Sequence, residues 1–133
     1  MITVRLKIDL FSSLIMSYIR IWNKEINSFS PVYIAVDTGA SVTTLSKDIL
    51  NLAGYDVTGG VSKRITTASG VVYVKEVIID KVMLGGIELS DVLVYAHTFP
   101  QESFSSGVLG LNVLSQFDVN FLFSKQLIEL TVI

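Results

Sequence analysis

The run Tyr33-Ile34-Ala35-Val36-Asp37-Thr38-Gly39-Ala40-Ser41 constrains this chain more than any other. Four apolar or small residues read as a buried strand, and the strand runs directly into an acid. A carboxylate at the end of such a strand is costly to bury without a partner. Thr38 supplies a hydroxyl, and Gly39 permits a tight turn and the close approach of another backbone. Ala40 and Ser41 keep the neighbourhood small. The stretch therefore predicts that something comes close to Asp37.

Composition narrows what that something is. A length of 133 residues predicts one domain spanning residues 1–133. Half of the residues are hydrophobic and 17% are charged, and the mean hydropathy is +0.60. That surplus points to apolar surface held against a partner, or to a membrane-proximal segment. The net charge of −2 comes with no basic run, which argues against nucleic acid as a ligand. The absence of cysteine excludes disulfides and thiol catalysis. His97 is the only histidine; it reads as a satisfied or exposed side chain near Pro100, not as a base or ligand, and no metal or other cofactor is expected. The apolar segment from Leu10 to Ile21 is interrupted at its entry by Asp9, lacks a small-x-small cleavage site, and is too short to span a bilayer. It reads as a strand or buried hairpin, and no membrane partner is expected.

Along the chain the dominant period is two. Ile2, Val4, Leu6 and Ile8 alternate with Thr3, Arg5 and Lys7, as in a half-buried strand. Leu14–Trp22, Val42–Leu45, Glu76–Met83 and Ile87–Ala96 read as further strands, the last with a possible irregularity at Ser90-Asp91. Lys63–Thr67 and Val71–Lys75 flank Ala68-Ser69-Gly70 as a hairpin with a small tip, and Gly85-Gly86 marks another turn. A short helix is expected over 46–54, capped by Ser46 and stopped by Gly54, and another after Gly107-Val108-Leu109-Gly110. Asp118–Phe123 and Gln126–Ile133 form a final hairpin about Ser124-Lys125. Frequent strands with two short helices predict an all-β fold, a small closed, barrel-like domain.

Taken together, these motifs resemble the retropepsin-like aspartic proteases over about residues 18 to 130. The shared features are the apolar strand ending in Asp37-Thr38-Gly39, the following hairpin, and the run Val108-Leu109-Gly110 leading into a helix. The resemblance implies a peptide or protein substrate, cleaved by water activated between two carboxylates that share one proton. The other aspartates, Asp9, Asp48, Asp56, Asp80, Asp91 and Asp118, lack a following Thr/Ser-Gly and read as surface, cap or turn residues. The second carboxylate is then Asp37 of a second copy, which a twofold homodimer places face to face with the first. By the same resemblance, Asp37, Thr38 and Gly39 are catalytic. Ala68, Ser69 and Gly70 form a flap tip over the substrate, Val108 lines an apolar pocket, and Gly110 packs behind the active loop. The segment before Asp37 is longer than in the viral enzymes, and the flap tip carries one glycine instead of a glycine-rich run. Gln126–Ile133, too apolar for a free tail, is expected to help build the dimer interface. Two other classes fit the same residues: a non-catalytic peptide-binding or dimerisation module with this fold, and a structural β domain of a longer protein.

Overall fold

The computed structural model describes residues 1–60, 62–67, 70–99 and 105–133. The chain is mostly strand. In order it forms β1 (Thr3–Lys7), β2 (Asp9–Phe11), β3 (Leu14–Asn23), β4 (Ser28–Val36), β5 (Thr44–Ser46), helix α1 (Lys47–Leu52), β6 (Ser62–Thr67), β7 (Gly70–Leu84), β8 (Ile87–His97), β9 (Gly107–Leu109), helix α2 (Leu111–Leu114), β10 (Phe117–Leu122) and β11 (Leu127–Val132). Eight strands form one sheet in the order β2-β3-β4-β9-β5-β8-β7-β6. An extra antiparallel pairing, Arg20 with Met83 and Ile21 with Val82, joins β3 to β7. It closes β3, β4, β9, β5, β8 and β7 into a ring, which is the expected all-β, barrel-like, retropepsin-like architecture. A second sheet, β1-β11-β10, packs its Leu6, Ile128, Leu130 and Phe117 into the same core as Ile21, Ile34, Ile79 and Leu109 of the ring.

Local chemistry explains most boundaries. Ser46 Oγ accepts from the Asp48 amide at 3.2 Å and so caps α1. Gly54 follows the helix at φ +88°, a conformation that glycine takes without strain. Strand β5 begins at Thr44, two residues later than expected, because Val42 and Thr43 belong to the loop that crosses β9. The segment from Leu10 to Ile21 is the expected hairpin, but it is not buried throughout: Leu10, Phe11 and Leu14 at its tip are exposed. The irregularity anticipated at Ser90-Asp91 is real. Asp91 has φ +53°, and the β7–β8 ladder lacks an Asp80–Asp91 pair.

The C-terminal strand departs from expectation most. Strand β11 is neither a free tail nor an edge. It pairs with β1 from Thr131 to Leu127 and with β10 from Val132 to Leu127, so both of its hydrogen-bonding edges are filled by its own chain. Its Ile128 and Leu130 side chains are buried in the core, whereas Val132 and Ile133 are exposed.

Tyr55, just after α1, repairs the gap opposite Asp91. Its buried hydroxyl donates to the Trp22 carbonyl at 2.7 Å and accepts from the Asp80 amide at 3.3 Å. Burial, more than any other cause, pushes its phenol above the ordinary 10.0. Tyr55→Phe is therefore expected to lower unfolding free energy by about 1–3 kcal/mol in urea titrations, because both backbone groups lose their partner. In the native chain, the stability tied to the phenol's proton is complete below the ordinary tyrosine value. It is lost as pH rises through the raised folded value, and Tyr55→Phe should lack that alkaline decline.

Candidate functional site

Strand β9 is three residues long, yet it fixes the Asp37 loop. It runs parallel to β4, with Ala35 beside Val108 and Val36 beside Leu109, and antiparallel to β5, with Thr44 beside Val108. Strands β4 and β5 are consecutive in the chain, so the connection that carries Asp37, Thr38 and Gly39 must arch over the end of β9. The crossing leaves no space for side chains beneath it. A Cβ on Gly110 would meet Val42 C at 2.8 Å, Ala40 O at 2.9 Å and Thr43 N at 3.0 Å. At the other end of β9, a Cβ on Gly107 would collide with the Thr44 carbonyl oxygen.

The arch is held by a dense polar set. The Asp37 amide donates to the Leu109 carbonyl at 3.0 Å, Leu111 N to Ala40 O at 2.8 Å, and Asn112 N to Ser41 O at 3.1 Å. The side-chain oxygen of Asn112 accepts from both the amide and the hydroxyl of Thr43, at 2.8 and 2.9 Å. The Thr43 hydroxyl oxygen accepts from Gly110 N at 3.0 Å, and Asn112 Nδ2 donates to the Leu93 carbonyl at 2.7 Å. Thr43 is buried, and every polar atom it brings inside is matched.

Asp37 itself is exposed. Its Oδ1 accepts from the Gly39 amide at 2.8 Å, and a Cβ on Gly39 would lie 3.1 Å from that oxygen. Thr38 is exposed, and among the described residues its hydroxyl makes no hydrogen bond. Three cavities of about 400, 360 and 520 Å³ meet at Asp37. The first lies against the β2–β3 hairpin at Leu14 and Ile15. The second lies under the β6–β7 hairpin at Ile65, Val72 and Val74, and the third reaches Thr66 and Tyr95. Val108 lines the first two. Gly70 is the first residue of β7, paired with Thr67 at φ +124°; Ala68 and Ser69 lie outside the described residues. The base of this hairpin is tied to β8 and β7. Lys63 Nζ lies 5.6 Å from the centre of the Tyr95 ring and 3.4 Å from Glu76 Oε1. Hydrogen bonding to Tyr95, and then to Glu76, pushes the Lys63 ammonium above the usual lysine range.

Thr43, Asn112 and His97 escape a reading of the sequence. The first two look like ordinary polar residues; the nearest signal is the glycine of Gly110 two residues before Asn112. His97, read as a bland residue, lines the second cavity with Asp37. Among the described residues no group of three or more His, Cys, Asp and Glu side chains could hold a metal ion, and no helix is long and apolar enough to cross a membrane.

Residues 22–116 match the family model described as gag-polyprotein putative aspartyl protease. No curated protein matches the chain significantly. Among solved structures, the chain is similar to a retropepsin-like aspartic protease from Rickettsia conorii. The TM-score is 0.69 at 21% identity, over 96% of this chain and 89% of that one. It is also similar to the retroviral protease-like domain of Ddi1 from Leishmania major. Here the TM-score is 0.54 at 14% identity, over 90% of this chain and 94% of that one. At these identities the likeness is one of fold.

Asn112→Ala should strip partners from Thr43 N, the Thr43 hydroxyl and Leu93 O together. A loss of about 2–4 kcal/mol is expected from denaturant midpoints, since each buried group left unpaired costs about 1–3 kcal/mol. Gln116→Ala, just beyond α2 and exposed, should stay within about 0.5 kcal/mol of the parent.

Proposed function

The chain belongs to the gag-polyprotein aspartyl protease family and has the retropepsin-like fold, and on that basis we propose that it is an aspartic endopeptidase working as a homodimer. The observation that carries this reading is Asp37: an exposed carboxylate at the meeting point of three cavities, on a loop braced from behind by β9 and α2. Residues 1–133 act as one such domain.

In this reading two Asp37 carboxylates face each other across a twofold axis and share one proton around a water molecule. One takes the water's proton as the oxygen attacks the scissile carbonyl. The other, protonated, donates a hydrogen bond to the carbonyl oxygen and polarises it. Gly39 serves twice, since its amide orients Asp37 Oδ1 and its missing side chain leaves that oxygen unobstructed. Thr38, whose hydroxyl is unengaged among the described residues, bonds across the axis and holds the two loops together. The β6–β7 hairpin closes over the peptide as a flap, and Ala68, Ser69 and Gly70 are its substrate-binding residues. Val108 forms part of the apolar wall against the substrate. The second copy is required because one chain brings one Asp-Thr-Gly. Its interface is not built by opening β11, since that strand is already paired on both sides.

Asp37→Asn should reduce peptide cleavage to below about a thousandth of the parent rate, because acid–base catalysis contributes roughly 10²–10⁴-fold. Its unfolding transition and light-scattering mass should stay unchanged. Residual cleavage above that level would reject the dyad.

Cleavage per chain should also fall as the enzyme is diluted from micromolar to nanomolar, in step with dissociation of the dimer. Asp37→Asn chains mixed with parent chains should inhibit after subunit exchange. A rate per chain that stays constant through dissociation would mean that a second acid lies within the same chain.

A further inference from the structure

The second cavity is lined mainly by apolar side chains, with Asp37, Thr44 and His97 as its polar members. Ile65 comes from β6, Val72 and Val74 from β7, Val108 from β9, and Phe99 from just beyond β8. Into this wall the chain sets its only histidine, His97, the last residue of β8. The placement follows from the register of β8. Val92, Val94 and Ala96 are buried in the core, so Leu93, Tyr95 and His97 fall on the opposite face. His97 is half-buried and packs edge-to-face with Phe99, the ring centres 5.6 Å apart. Among the described residues its ring makes no hydrogen bond. In the free protein, water can satisfy its nitrogens. A bound side chain that fills the cavity expels that water, and an apolar one leaves the imidazole unpaired.

We propose that His97 makes this cavity a selective subsite for a substrate side chain with an apolar stem and an amide tip, glutamine above all. The stem methylenes lie against Ile65, Val72, Val74 and Val108. The amide carries both a donor and an acceptor, so it can pair with an imidazole in either tautomer. A carboxylate tip of the same length is disfavoured, because the Asp37 carboxylate lines the same cavity and like charges repel there. Methionine matches glutamine in length and lack of branching but offers no comparable partner. A site that hydrogen-bonds its substrate discriminates strongly against an analogue that lacks the polar group.

This inference deepens the peptide-cleaving reading and rests on it, so the experiment has two arms. In the first, matched peptides with Gln, Met or Glu at each position within two residues of the cut compete for the parent enzyme and for His97→Leu. At one position the parent should prefer Gln over Met by about tenfold or more in kcat/KM, with Glu below Gln. His97→Leu should bring the Gln:Met ratio to about one or below, and His97→Asn should restore part of it. In the second arm, the same peptides are titrated into Asp37→Asn while the ring signals of the single histidine are followed by NMR. This measurement does not depend on cleavage or on His97→Leu folding. The Gln peptide should shift those signals more than the Met peptide at equal occupancy. Cleavage with the same Gln:Met ratio in the parent and in His97→Leu, or imidazole signals unmoved by peptides that bind, would overturn the subsite and leave the protease reading standing. Gln-selective binding at His97 with no cleavage would uphold the subsite and overturn the protease reading. Peptides neither bound nor cleaved would overturn both.

Discussion

The contact between Thr43 and Asn112 is the constraint on which the site depends. A three-residue strand cannot hold a loop by its ladder alone, and β9 offers few hydrogen bonds to its neighbours. The Asn112 side chain adds three, two to Thr43 and one to Leu93 of β8. Thr43 then passes the connection on through its hydroxyl oxygen to Gly110 N. Residues 69 positions apart are thereby joined by part-buried bonds whose loss leaves backbone groups without partners. The Asp37 loop, the end of β9, the start of α2 and the middle of β8 become one mechanical unit. Gly110 is required for the same reason, because any side chain there would push the arch away from the network that holds it.

That unit shows what the sequence could reveal and what it could not. Signals carried by neighbouring residues were legible. Alternation over Ile2–Ile8 marks β1, Ser46 and Gly54 bracket α1, and Gly85 sits at φ +58° where a tight turn was expected. The acid after an apolar strand likewise marked Asp37 as the focus. What was not legible depends on partners far away in the chain. Nothing local in Gly107-Val108-Leu109 says that it runs parallel to β4 and antiparallel to β5. Thr43 and Asn112 look like any polar pair until the crossing brings them together. His97 looks inert until the register of β8 turns it away from the core.

The C-terminal strand finds its ladder partners, and the burial of Ile128 and Leu130, within its own chain. Leu127, Ile128, Leu130, Val132 and Ile133 resemble a strand in need of a partner. The partners are β1 and β10 of the same chain. Alternation reports that one face is buried, not what buries it. Part of the apolar surplus in the composition lies elsewhere, at the tip of the β2–β3 hairpin, where Leu10, Phe11 and Leu14 are exposed. Leu14 reaches the same cavity as Asp37, so exposed apolar surface and the exposed acid occur together.

The surroundings of Asp37 fit the proposed site shared between two chains. An ionised carboxylate offers about four lone-pair positions, and among the described residues Asp37 uses one oxygen, for the Gly39 amide. Among the described residues no cation pairs with it; the ion pairs there join Arg5 to Glu129, Lys24 to Asp80 and Lys63 to Glu76, all elsewhere. Had a lysine or arginine neutralised Asp37 within the chain, a second carboxylate could approach without sharing a proton, and neither would remain protonated to polarise a carbonyl. The rigid arch and the unpaired carboxylate therefore belong together. The arch fixes where the acid stands, and in the proposed homodimer the place that a counter-charge would take is left to the second Asp37.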